Sequence, residues 1–71
     1  MRCYLKYIHP VTGNSYLFVD LHTVDGILKP VGCLCCFKVR ATIFETKRDA
    51  EKIADYLVSL GYRTSLRRVN P

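Results

Sequence analysis

The chain has 71 residues, of which 49% are apolar and 24% charged, and its formal net charge is +5 at pH 7. This composition is typical of one globular domain over residues 1–71. It excludes a multidomain enzyme, a repeat protein, a collagen-like chain and a disordered tail. A domain of this size buries only about 60% of its extended surface, so a dimer contact or a bound partner would add to a small intrinsic stability.

Nothing in the sequence predicts secretion or a membrane partner. Lys6 interrupts the N-terminal residues that would form the apolar core of a signal peptide. The longest uncharged apolar-rich run, residues 31–37, is too short to span a bilayer. We therefore expect a soluble cytoplasmic protein whose thiols are reduced.

The first half of the chain predicts two strands and a tight turn. Alternation of apolar and polar residues predicts strands over 2–8 and 15–24, separated by turn residues at 9–14. Asp25 and Gly26 then predict a tight turn. Pro30 and Gly32 favour an edge, a bulge or a loop over 27–32.

The second half predicts a strand, a helix and a last strand. Alternation is clearest over 33–44, which predicts the third strand. Apolar residues at helical spacing predict a helix over 47–60, with Thr46 as its N-cap and Gly61 in a left-handed C-terminal cap. The last strand is predicted at about 63–69.

These elements predict an α+β fold, a single two-layer domain with a four-stranded, mostly antiparallel sheet and one helix packed on one face. Along the chain the order is β-β-β-α-β. The first three strands are expected to form a meander, and the connection through the helix is expected to be a right-handed crossover. The second face of the sheet is left without a covering helix.

The uncovered face is expected to mix cations with aromatic rings. Assigning the more apolar parity of each strand to the helix places the other parity on this face. Cations and rings together suit contacts with phosphates and bases, and they also suit docking on a protein. The expected partner-binding residues are Arg2, Tyr4, Lys6, Tyr16, Phe18, Lys38, Arg40, Arg63 and Arg67.

We therefore expect a small non-enzymatic binding protein that acts as an inhibitor or adaptor by docking this face on another protein. An aromatic hot spot is then expected at Tyr16 or Phe18. The alternative is a nucleic-acid-binding module that uses the same face for phosphate contacts and base stacking. Charge and parity do not separate these hypotheses, and they also leave open a homodimer contact or an inert surface.

The cysteines favour packing over metal binding. Structural zinc sites use cysteine pairs separated by two to four residues. This chain has one C-x-C-C run and no second pair, so we expect its cysteines to act as small apolar residues and no metal to be bound. The zinc alternative would combine Cys3, Cys33, Cys35 and Cys36 with His9 or His22.

Two residue pairs are candidates for catalytic groups. Cys36 and His22 share the predicted outer face, but no third group is placed to orient the histidine. Glu45 and Lys47 have the spacing of metal-dependent nucleases, yet they lie at the start of the predicted helix, where they are expected to diverge. We therefore expect no enzyme and no cofactor.

Residues 41–54 read Ala-Thr-Ile-Phe-Glu-Thr-Lys-Arg-Asp-Ala-Glu-Lys-Ile-Ala. This segment, about a fifth of the chain, is similar to the strand-to-helix junction of AP2 and integrase-arm DNA-binding domains. The resemblance implies a three-stranded sheet that enters the major groove and is backed by one helix, and the predicted fourth strand departs from that plan. The small size and the lack of catalytic residues also resemble accessory proteins of phages and mobile elements, including inhibitors of host defence.

Overall fold

The computed structural model describes residues 2–34 and 40–69. Its elements are β1 (Cys3–Ile8), β2 (Ser15–Val24), β3 (Ile27–Cys33), α1 (Lys47–Ser59) and β4 (Arg63–Arg68). The four strands form one antiparallel sheet in the order β3-β2-β1-β4, which confirms the two-layer α+β prediction. β3 and β4 are antiparallel to each other and lie at opposite edges of the sheet. The connection through α1 is therefore not a parallel crossover, and the prediction of a right-handed crossover does not apply to it.

Helix α1 begins and ends at the predicted signals. The backbone N–H of Asp49 donates to the Thr46 hydroxyl at 3.2 Å, which satisfies one of the free donors of the first turn. At the other end Gly61 takes φ +97°, and the N–H of Tyr62 donates to the Leu57 carbonyl at 3.0 Å. This is the Schellman arrangement, in which a glycine in the left-handed region reverses the chain after the last helical turn.

The core lies between α1 and one face of the sheet. Its fully buried members include Leu5 of β1 and Leu57 of α1, both with no exposed surface. Tyr7, Phe18 and Ala54 complete the central cluster. Partly buried side chains pack around it, namely Tyr16, Leu21, Phe44, Ile53, Tyr56, Tyr62 and Leu66.

A β-bulge in β2 reverses the predicted faces of its first half. The register with β3 shifts between Phe18 and Asp20, so Val19 is an extra residue in the ladder. Beyond the bulge Leu21 packs on the core as predicted, whereas before it Tyr16 and Phe18 point to the helix. The prediction that these two aromatic rings lie on the uncovered face is therefore wrong.

The third strand lies earlier in the chain than predicted. β3 covers the segment for which the sequence favours a loop or bulge, because the turn at Asp25 and Gly26 leads directly back along β2. Pro30 is accommodated since β3 is an edge strand, where a missing backbone donor need not break the ladder. Among described residues of the predicted strand at 33–44, only Cys33 is in a strand and Phe44 in an isolated bridge, while residues 35–39 lie outside the described ranges.

Gly32 has a packing role in this edge strand. A Cβ atom there would overlap the Tyr7 hydroxyl and lie 2.7 Å from the Cβ of Tyr16. Glycine thus lets two tyrosines pack directly over the backbone of β3. Together with Tyr62, whose ring centroid lies 5.6 Å from that of Tyr7, they form a tyrosine cluster on the helix side of the sheet.

Residues 42–44 fill a gap between the two central strands. β1 pairs with β2 only from Lys6 to Ile8. Beyond that point Thr42 donates its backbone N–H to the Phe18 carbonyl at 3.0 Å, and Phe44 exchanges backbone hydrogen bonds with Cys3. The chain just before α1 is thereby tied to both β1 and β2.

Within residues 2–34 and 40–69, the structure contains no helix with the length and apolarity needed to cross a membrane.

Candidate binding face

The sheet face opposite α1 carries the candidate site, and we call it the open face. Side chains of β1 alternate between buried positions toward the helix and half-buried positions on the open face, where Tyr4 and Lys6 lie. Cross-strand partners share a face, so the pairs Tyr4–Arg67 and Ile8–Arg63 place both arginines there as well. Four of the nine expected partner-binding residues are thus brought to one surface.

Three cations of the open face surround one serine, and we call Lys6, Arg63 and Arg67 the cation triangle. Lys6 lies directly across from Ser65, while the arginines lie two residues before and after that serine on β4. Two residues along a strand span about 7 Å, and diagonal neighbours are separated by a similar distance. The three charges are therefore held near each other by the register of two paired strands.

The cation triangle lines a shallow cavity of about 220 Å³. The other described lining residues are Ile8, Ser15, Thr64 and Ser65, so the lining adds three hydroxyl groups to the cations and includes no acidic residue. Among the described residues, no side chain forms an ion pair or hydrogen bond with Lys6, Arg63 or Arg67. The site therefore combines concave shape, hydroxyl donors and positive charge that the described part of the fold does not neutralise.

Acidic residues are segregated from this half of the sheet. β1 and β4 contain four cations and no Asp or Glu. Four of the six carboxylates lie on or just before α1, at Glu45, Asp49, Glu51 and Asp55, and the others are Asp20 and Asp25. Positive potential is therefore concentrated at β1 and β4, the half of the sheet away from the edge strand β3.

The aromatic residues expected on the open face instead help to stabilise the core. Phe18 is 4% exposed and stacks on Phe44 with ring centroids 6.0 Å apart. Tyr16 contacts Tyr7 in the tyrosine cluster at 5.6 Å. Burial raises the pKa of Tyr7 to about 12, with smaller contributions from Tyr62, Tyr16 and Cys33. Of the three aromatic residues expected on this face, Tyr4 is the one that lies there.

The remaining expected contacts are not part of the cation triangle. Arg2 is exposed and forms an ion pair of 3.7 Å with Glu45, just outside β1. Arg40 is exposed and lies outside any strand, contrary to its predicted place in a third strand. Lys38 lies outside the described residues.

Sequence reasoning missed a second concave surface, which we call the hairpin cleft. It has a volume of about 410 Å³ and lies between the 9–14 turn, β3 and the end of α1. Val11 and Ile27 line it and are 87% and 49% exposed. The ring Nδ1 of His9 accepts the backbone N–H of Val11 at 3.1 Å and shapes its rim. An exposed valine in a polar turn was the one available signal.

The candidate groups for metal binding or catalysis are distributed as follows. No group of three or more His, Cys, Asp or Glu side chains able to hold a metal occurs among residues 2–34 and 40–69. Glu45 pairs with Arg2, whereas Lys47 pairs with Glu51 at 3.7 Å, so the two nuclease-like residues reach different partners. Cys36 lies outside the described ranges.

Comparison of the chain with known proteins finds no matching protein-family model, no matching curated protein and no matching solved structure.

Proposed function

We propose that this chain is a non-enzymatic binding protein that acts as an inhibitor or adaptor by docking its open face on another protein. The observation that carries the proposal is the cation triangle, three charges on the open face that line a cavity with no acidic residue among its described lining residues. Charge arranged in this way favours a partner of opposite potential and speeds its association. The cytoplasm is the proposed compartment, since it keeps thiols reduced.

A protein partner agrees with the rest of the exposed surface. Protein interfaces combine an apolar centre with a polar rim. Apolar side chains are exposed on the β2–β3 hairpin, including Leu28 at 43% and Val31 at 41%. The hairpin cleft beside it adds the exposed Val11. The rings that would have stacked on bases are mostly in the core, which weakens the case for nucleic acid.

The test uses the tagged full chain as bait in a lysate of its source organism, with nuclease treatment in parallel. Arg63→Gln/Arg67→Gln removes two charges from the open face, and Arg48→Gln/Lys52→Gln removes two from the exposed surface of α1. We call these the sheet variant (Arg63→Gln/Arg67→Gln) and the helix variant (Arg48→Gln/Lys52→Gln). The proposal is supported if, after nuclease treatment, the parent and the helix variant still retain a protein that the sheet variant loses. Purified, that protein should bind the parent at least tenfold more tightly than the sheet variant.

Nucleic acid is the second candidate, favoured by the four cations of β1 and β4 without an acidic residue. It predicts that a fluorescent single-stranded oligonucleotide binds with a steep salt dependence. Removing Arg63 and Arg67 should then reduce the slope of log K against log salt by about one unit for each phosphate that these arginines neutralise. Equal binding by both double variants would contradict this candidate.

A further inference from the structure

We propose that the cation triangle is a binding site for a phosphoryl group, and that the docked partner presents a phosphorylated side chain to it. The inference deepens the proposed function and rests on it for the protein nature of the partner. The site itself is defined by Lys6, Arg63 and Arg67 around Ser65, in the cavity on the open face.

The arrangement suits a tetrahedral dianion. A phosphoryl group carries up to two negative charges at neutral pH and three strong acceptor oxygens. Each arginine can donate two parallel hydrogen bonds to such oxygens, and Lys6 adds a compact charge between the arginines. Ser65 and Ser15 place hydroxyl donors in the same cavity. A carboxylate has two oxygens and one charge, and it would leave part of this donor set unused.

Size and placement agree with this ligand. The cavity of about 220 Å³ exceeds the 150 Å³ or so that holds a benzene molecule in an engineered protein core, so a phosphoryl group and the atoms bearing it fit. The site lies on paired strands, whose register fixes the backbone positions from which its side chains extend. Because both arginines lack a described ion-pair partner, ligand binding need not break an existing contact.

The probe is phenyl phosphate, titrated into the ¹⁵N-labelled full chain at constant ionic strength and followed by amide shifts. The largest shifts are expected at Lys6, Arg63, Ser65 and Arg67. Arg63→Gln/Arg67→Gln should weaken binding at least tenfold, while Arg48→Gln/Lys52→Gln should leave it unchanged. Acetate at the same ionic strength should bind at least tenfold more weakly than phenyl phosphate. Equal binding of acetate, or equal effects of the two double variants, would overturn the phosphoryl site.

The ligand's second ionisation provides an independent readout. The second pKa of a phosphate monoester is about 6, so about a tenth of it is dianionic at pH 5. Among the described residues that line the cavity there is no His, Asp or Glu, and the charged ones are Lys6, Arg63 and Arg67. Affinity for phenyl phosphate should therefore fall about tenfold between pH 7.5 and 5. Affinity that stays constant over this range would show that the dianion is not what the site selects.

Failure of the inference can be told apart from failure of the proposed function. If the captured protein still binds after phosphatase treatment and phenyl phosphate does not bind, docking stands and the phosphoryl site is wrong. If phenyl phosphate binds through the triangle and no protein is captured, the site stands and the docking proposal is wrong. A single-stranded oligonucleotide that binds through the same residues more tightly than phenyl phosphate would assign the site to nucleic acid and overturn a phosphorylated protein partner.

Discussion

Phe18 shows how one residue can change the interpretation of a whole surface. It belongs to the run Tyr-Leu-Phe-Val at residues 16–19, which is apolar at both parities. A period of two therefore cannot decide which side of this segment faces the core. In the structure the bulge after Phe18 leaves Tyr16 and Phe18 on the side of the sheet that faces the helix. Leu17, which lies between them in the sequence, is also only 2% exposed.

We predict that Phe18→Ala destabilises the fold by about 3–5 kcal/mol, because it leaves a cavity beside Leu5 and Leu57. Tyr4→Ala, at a half-buried position on the open face, should reduce the free energy of unfolding much less. Urea unfolding followed by circular dichroism measures both. A Phe18→Ala protein as stable as the parent but unable to bind its partner would restore the ring to the open face.

Tyr7 gives a prediction about alkaline stability. Its pKa of about 12 in the folded state exceeds the unfolded value of 10. Below pH 10 the hydroxyl is protonated in both states and folding is unaffected. Between about pH 10 and 12 the unfolded state ionises first, so stability falls as pH rises. Tyr7→Phe should therefore lose less stability than the parent between pH 9 and 11.5 in urea unfolding, whereas equal losses would contradict the assignment.

At the scale of elements, local signals predicted what local chemistry determines. Thr46 and Gly61 bound the helix because capping depends on residues close in sequence. β2 has its predicted bounds for the same reason, since turn residues flank it on both sides. β3 was misplaced because the turn at Asp25 and Gly26 continues the pairing along β2 whatever the alternation of the following residues.

The helix N-cap gives a second stability prediction. Thr46→Ala removes the acceptor for the Asp49 N–H and should destabilise the protein by about 0.5–2 kcal/mol. Thr46→Ser keeps a hydroxyl in the same place and is the matched control. Thermal unfolding should rank the parent and Thr46→Ser above Thr46→Ala. The same melting temperature for all three would mean that the cap contributes nothing to the fold.

At the scale of the molecule, the candidate site was half predictable. The charge excess and the strand parity of β1 and β4 predicted Lys6, Arg63 and Arg67 on one face, because both strands alternate regularly. The prediction that Tyr16 and Phe18 lie on this face is wrong, because a bulge cannot be inferred from alternation alone. The hairpin cleft depends on the packing of segments that are distant in sequence, which periodicity does not encode.

The uncompensated charge predicts a dependence on salt. Arg63→Gln/Arg67→Gln relieves repulsion within the cation triangle, so its melting temperature should exceed that of the parent by about 2–4 °C at low ionic strength. The difference should vanish in about 0.5 M salt, where charges beyond a few ångströms are screened. Arg48→Gln/Lys52→Gln should give no such gain, because its charges lie among Asp49, Glu51 and Asp55. A gain that persists in high salt would point to a cause other than repulsion.

The position of β1 has a consequence for what happens when β4 leaves the sheet. This strand lies between β2 and β4, and its Cys3 is paired with Arg68, while Cys3 also bonds to Phe44. While β4 is undocked, β1 therefore has a paired strand on one side and an open backbone edge on the other. That edge can accept a strand from another chain, so conditions that detach β4 would favour aggregation of the protein.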